Sequence, residues 1–289
     1  YGFTVSELER AKTDYLSNLE RAYNERTTRK NQFYAQQYYR HYLDGQPIPG
    51  IEFEYEYTKS VFPQLPVTLV NQLVQSYITD KNVVISYLGK ENSDVVNVPT
   101  EEEVLAIFNK VKIADIEAPV EESFDRPLVE NAPVAGTIVK EKYNKKLGTT
   151  EWTLSNGIKI AIKPTEFKKD QISMEIQSEG GLSKVAIDDL PSANVATSVV
   201  LYNGVGEFSY LELQKALTGK NVSIAPNIDN YEENMSGTST VKDFETMMQL
   251  VYLYFTAPRQ DDEAFRSLMA MLETSVASRD KNPKTAFSD

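Results

Sequence analysis

Cysteine is absent from the 289 residues, and only one histidine, His41, is present. The first absence excludes disulfides, thiolate metal sites and cysteine nucleophiles within this chain, and leaves the redox compartment open. The second excludes any metal site that needs two imidazoles from this chain, which covers the common catalytic zinc sites. Positive charge is also scarce, with 30 Lys and Arg against 42 Asp and Glu, a formal net charge of −12. That balance argues against nucleic acid or an anionic membrane surface as the main partner. No run approaches the ~20 apolar residues of a membrane helix; the densest, Met247 to Phe255, is short and lies in a helical pattern. No signal peptide is visible. Absent cysteine and an acidic composition suit bacterial periplasm and cytoplasm alike. What remains is an ordinary globular balance, 41% hydrophobic and 25% charged, long enough for two modules.

The first stretch is helical. Thr4 and Glu7 form a capping box, and Leu8, Ala11, Tyr15, Leu19, Ala22 and Tyr23 recur at three-to-four spacing. A charged stretch from Asn24 to Asn31 interrupts the pattern, which resumes through Phe33, Tyr34, Tyr38 and Tyr42 until Gly45. Thr68 begins another helix with Leu69, Leu73 and Tyr77 inward; Val83 to Leu88 reads as a strand; Thr100 and Glu103 form a second capping box ahead of a helix. From about Glu117 to Gly148 the prolines Pro119, Pro127 and Pro133 break any period, which is the texture of a linker.

Beyond it, Asn156-Gly157 marks a hairpin, Ile172, Met174 and Ile176 alternate in a strand, and a helix covers about Pro191 to Tyr202. Ser209 and Glu212 form a third capping box, strands follow near 222–228 and 233–240, and helices near 243–255 and 261–278 close the chain. Strands, helices, strands, helices is an α+β order. The domain scheme expected from this is 1–116 as the C-terminal part of one α/β repeat, 117–148 as linker, and 149–289 as most of a second.

No catalytic site can be assembled from these residues. Gly204-Val205-Gly206 is half a dinucleotide fingerprint without its third glycine, and a helix-ending turn explains it better. His41 sits near a helix C-terminus, where positive charge is favourable by about 0.3–1 kcal/mol, so a helix-end role outweighs a catalytic one. Glu52, Glu54 and Glu56 alternate with Phe53, Tyr55 and Tyr57, which reads as a solvated face over an aromatic stripe rather than an acid–base pair. The tyrosines Tyr34, Tyr38, Tyr39 and Tyr42, at helical spacing, read as core and interface.

The ordered set of features resembles the insulinase/pitrilysin family. Leu154-Ser155-Asn156-Gly157-Ile158, the Gly180-Gly181 pair, a helix ending in Asn203-Gly204, the Leu211-x-Leu213 helix, and Pro258-Arg259 before a last helix look like the opening and body of one repeat. Ser6-Glu7-Leu8-Glu9-Arg10-Ala11, Asn24-Glu25-Arg26, Leu43-Asp44-Gly45 and Pro47-Ile48-Pro49-Gly50 look like the back half of the preceding one. The resemblance implies two partial α/β repeats, each an antiparallel-rich sheet with helices on one face, joined by an extended linker. It implies a middle fragment of a longer, four-repeat peptidase.

That family is zinc-dependent, through an inverted His-x-x-Glu-His motif and a more distant glutamate. Alignment on Asn203-Gly204 sets the motif on Val195, Ser198 and Val199, and the distant glutamate near Glu273. Valines offer no lone pair to a metal, so the resemblance implies a repeat that has lost the chemistry, with no catalytic and no metal residues here. Zinc is expected in the missing N-terminal part of the parent chain. Expected partners are peptide substrates through the parent enzyme and the remainder of its own chain, with no nucleic acid and no membrane, and the fragment is expected to self-associate. Two alternatives are a non-enzymatic partner or structural subunit of the same family and an unrelated α+β binding protein.

Overall fold

The computed structural model describes residues 2–77, 83–87, 99–118, 120, 126–279 and 283–288. The chain divides into two compact units, Tyr1–Lys12 with Thr58–Ser123, and Thr13–Tyr57 with Phe124–Asp289.

In the smaller unit the Thr4 capping box forms at the start of α1 (Val5–Asn24): Thr4 N–H donates to Glu7 at 2.7 Å, and Glu7 N–H to the Thr4 hydroxyl at 3.2 Å. Asn71, on α4 (Val67–Tyr77), clamps the segment before α1, accepting from Phe3 N–H at 2.7 Å and donating to Phe3 O at 3.1 Å. Lys12 is buried, and its ammonium is satisfied by Glu9 (2.7 Å) and Leu65 O (2.8 Å). The Thr100 capping box opens α5 (Glu101–Lys112).

Two expectations fail in this unit. Leu69, Leu73 and Tyr77 do not point inward; they are 52, 55 and 75% exposed, and α4 has no buried residue. The three-to-four spacing makes an apolar face, but none of the described residues of this unit covers it. The strand expected from Val83 to Leu88 is absent over 83–87, and Leu88 lies outside the described residues. Among the described residues no strand pairs with this run, and β-branched residues alone do not make a ladder.

α2 (Asn31–Asp44) follows α1 after the charged interruption, and ends as expected at Gly45, whose left-handed φ of 67° lets its N–H reach His41 O. α3 (Ile51–Val61) is a correction: the alternating Glu52, Glu54 and Glu56 are helical, so they do not share one face against the aromatic residues. Tyr55 stacks on Tyr23 at 5.0 Å, and Phe53 on Tyr57 at 5.5 Å.

The larger unit carries two antiparallel sheets. β1 (Ile138–Asn144), β2 (Thr149–Leu154) and β3 (Lys159–Ile162) form the first in that order, with Asn156-Gly157 turning β2 into β3. Residues 138–148, read from sequence as the end of the linker, are thus a strand and its turn. Lysines and a tyrosine hid β1, because this strand is exposed on nearly all its length. Residues 119 and 121–125 of that stretch lie outside the described residues.

The second sheet has the order β4-β6-β5, with β4 (Ile172–Glu179), β5 (Val222–Ile228) and β6 (Glu232–Ser239). Register sets Met235 opposite Ile176 and Pro226, and Gly237 opposite Met174 and Ile224. One face meets α8 (Phe244–Thr256) and α6 (Leu190–Asn203); the other leaves Ser173, Glu175, Ser223, Ser236 and Thr238 exposed. Helices on one face of an antiparallel sheet is the α+β arrangement expected. The core joins Ile224 and Met235 to Met247, Leu250, Val251 and Leu253 of α8, Leu213 of α7 (Tyr210–Ala216), and Val205 and Phe208 from the turn after α6. Each fully buried side chain of this size contributes about 1.5–3 kcal/mol.

Candidate functional site

α6 begins with Pro191 in its first turn, where the missing N–H costs no helical bond. It ends where Gly204 adopts φ 84°, and the chain doubles back: Val205 N–H donates to Phe208 O, and Gly206 N–H to Ala257 O at 2.7 Å. A Cβ on Gly204 would meet Phe208 O at 2.2 Å, so the position requires glycine on space as well as on φ. Val205 and Phe208 are sealed in the core beneath this turn, and the Arg126 guanidinium lies 4.4 Å above the Phe208 ring. Gly204-Val205-Gly206 is therefore a helix-ending turn fastened to the segment after α8, with no role for a nucleotide.

The motif-aligned residues follow from this helix. Val195 and Val199, one turn apart, are half-buried, and Ser198 is exposed. Full burial of both valines does not occur, so each contributes less than a core valine. Glu273 is exposed on α9 (Asp262–Ser278), which packs against α6. The structure brings the two helices together, but two hydrocarbon side chains, a hydroxyl and a solvated carboxylate do not make a zinc-binding donor set. Among the described residues no group of three or more His, Asp or Glu is placed to hold a metal ion. The residues at these positions do not fit zinc, and no reaction step is assigned to them.

His41 is exposed at the end of α2, with Nδ1 2.7 Å from Gln46 O, the helix-end role read from sequence. Among the described residues no helix is long and apolar enough to cross a membrane.

Two carboxylates that sequence reading passed over hold the larger unit together. Asp243, just before α8, is 1% exposed; its Oδ2 accepts from Asn221 N–H at 2.8 Å and the Thr240 hydroxyl at 2.7 Å. Glu25, just after α1, accepts from Lys168 at 2.6 Å and Asp170 N–H at 3.0 Å. Burial pushes the Glu25 carboxyl up, but the Lys168 bond and charge, the Asp170 amide and the Thr28 hydroxyl outweigh it, leaving it below the ordinary glutamate range. The long-range partners gave no local sequence signal: Asp170 lies 145 residues from Glu25, and Asn221 lies 22 from Asp243, whose Thr240 partner alone is local. Glu212, in the Ser209 capping box, is held below its ordinary range by the hydroxyl and the amide of Ser209.

No protein-family model matches the chain. A curated Arabidopsis thaliana protein named zinc protease PQQL-like is 27% identical over 293 residues, covering all of this chain and 28% of the relative. The probable zinc protease PqqL of Haemophilus influenzae is 30% identical over 118 residues, 41% of this chain and 13% of the relative. The chain thus spans under a third of the length of these relatives. Among solved structures, the periplasmic protease PqqL from Escherichia coli superposes with a TM-score of 0.52 at 19% identity, over 100% of this chain and 32% of that one. The ferredoxin protease FusC in complex with Arabidopsis ferredoxin superposes with a TM-score of 0.51 at 16% identity, over 98% and 33%. The ordered motifs, the alignment along the whole chain and the shared fold converge: the chain is similar to zinc proteases named PqqL, a likeness that supports the insulinase/pitrilysin type.

Proposed function

We propose that this chain is a non-catalytic middle part of a zinc metallopeptidase, the end of one α/β repeat, a linker and most of a following repeat. The observation that carries the reading is the contrast on α6. The chain aligns from end to end with a zinc protease, yet bears Val195, Ser198 and Val199 where a zinc-binding repeat needs two imidazoles and a carboxylate. Zinc, and the base acting on its bound water, then belong to sequence outside these 289 residues. The role left to this stretch is architectural, as linker and as part of the wall of a chamber holding peptide or protein substrates. The FusC neighbour, solved with a protein bound, supports that substrate class.

The test compares two proteins. The full-length protein is expected to hydrolyse an unfolded peptide and to lose that activity to a chelator. The isolated 289-residue chain is expected to do neither and to carry zinc far below one per mole. Near-stoichiometric, chelator-sensitive zinc in the isolated chain would overturn the reading. The runner-up, a non-enzymatic partner subunit, rests on the same valines, and is distinguished by the full-length sequence. A His-x-x-Glu-His ahead of Tyr1 means an enzyme; its absence means a partner.

A further inference from the structure

The larger unit contains a cleft of about 430 Å³ where the end of α1 and the start of α2 lie against the 168–171 segment and the ends of β5 and β6. Its charge is opposite to that of the chain. Arg21, Arg29, Lys30, Lys168 and Lys220 line it against two carboxylates, Glu25 and Asp170, in a chain of net charge −12.

Both acids are already engaged. Glu25 is bound to Lys168 and to the Asp170 amide. Asp170 accepts from Val241 N–H at 3.1 Å and from Asn24 at 2.8 Å. Four cations remain. Lys220 stands 3.6 Å from Asp243, a carboxylate already holding two shorter bonds. Arg21 donates to the neutral Asn18 at 3.3 Å. Arg29 lies 3.8 Å above the Phe33 ring, a geometry that fixes the guanidinium and leaves its N–H donors available at the edge. Among the described residues Arg29 and Lys30 have no carboxylate partner.

Two further observations point the same way. Lys30 is also the N-cap of α2, a 14-residue helix whose first N–H groups receive no side-chain cap from it, so a positive dipole end adjoins the cations. Ser239, also in the lining, is 3% exposed, and its Oγ has no hydrogen-bond partner among the described residues. A buried hydroxyl without a partner is unfavourable, and a ligand oxygen would satisfy it.

We propose that this cleft is a binding site for an oxyanion group, phosphate or carboxylate, held by Arg29, Lys30 and Lys220 with the Ser239 hydroxyl as a neutral donor. Planar guanidinium donors suit either anion. The site lies on elements distinct from the motif-aligned α6 and does not depend on the peptidase reading.

Isothermal titration calorimetry on the full-length protein tests it, with inorganic pyrophosphate and citrate as separate probes. One-to-one binding of at least one probe is expected, weakening as NaCl rises; which probe binds distinguishes a phosphoryl from a carboxylate ligand. The double variant Arg29→Gln/Lys30→Gln is expected to lose affinity by about tenfold or more, with Arg29→Lys retaining part of it. Ser239→Ala is the check that does not disturb folding. Removing an unpartnered hydroxyl leaves the ligand-free melting temperature unchanged or raised while weakening the same probe. Millimolar concentrations of both probes giving no heat, or a folded double variant binding as tightly as the parent, would overturn the proposal. Should the double variant fail to fold, unchanged affinity in Ser239→Ala overturns it.

Discussion

Replacing Asp243 with alanine is expected to be among the most damaging single changes to the larger unit. The residue joins three segments: the amide of Asn221 ahead of β5, the hydroxyl of Thr240 after β6, and the start of α8. Both bonds are short, and the site is 1% exposed. Leaving a buried donor without its acceptor costs about 1–3 kcal/mol, so losing two such bonds costs roughly 2–6 kcal/mol. That is a large part of the about 5–15 kcal/mol by which a folded protein is stable. Lys220→Met should cost about 1 kcal/mol or less, because its ammonium is 3.6 Å away and nearly half exposed, while the two shorter bonds persist. Urea unfolding followed by far-ultraviolet circular dichroism reads both; with a slope of about 1–3 kcal/mol per molar, Asp243→Ala moves the midpoint by roughly 1–3 M or more. An Asp243→Ala protein within about 1 kcal/mol of the parent would refute the reasoning, since no network holding those two donors could be lost so cheaply.

Phe208→Ala removes a fully buried ring and the face on which Arg126 rests, and should cost about 3–5 kcal/mol in the same titration. Gly204→Ala combines a left-handed φ with a contact of 2.2 Å on Phe208 O; the strain alone is about 1–3 kcal/mol, and a variant as heat-stable as the parent would contradict the geometry. Because the folded Glu25 carboxyl is depressed, its contribution is present above the ordinary glutamate range and is lost as pH falls through the folded value. The stability difference between the parent and Glu25→Gln should therefore shrink on acidification, and a pH-independent difference would argue against a charged role. The uncovered faces of α4 and α5, with Leu69, Leu73, Ile107 and Val111 all over half exposed, should make the isolated chain self-associate; dynamic light scattering showing a monomer at high concentration would count against this.

Local rules were sufficient wherever the determinants lie within a few residues of one another. All three capping boxes, Thr4, Thr100 and Ser209, form with their glutamates, and Gly45 stops α2 as a C-terminal glycine should. The Asn156-Gly157 hairpin and the inward Ile172, Met174 and Ile176 of β4 follow from two-residue periodicity and turn chemistry. The absence of donors at Val195 and Val199 is likewise a matter of residue identity alone. Tertiary structure decided the rest. The same spacing that makes α4 amphipathic does not say whether anything covers Leu69 and Leu73, because burial depends on elements distant in the chain. Alternation at 52–57 became a helix, and lysine-rich 138–144 became a strand once β2 supplied its hydrogen bonds. Glu25 meeting Lys168, Asp243 meeting Asn221, and a cationic cleft in an acidic chain arise only when segments up to 145 residues apart are brought together. Composition records how much charge a chain carries; folding determines which charges become neighbours.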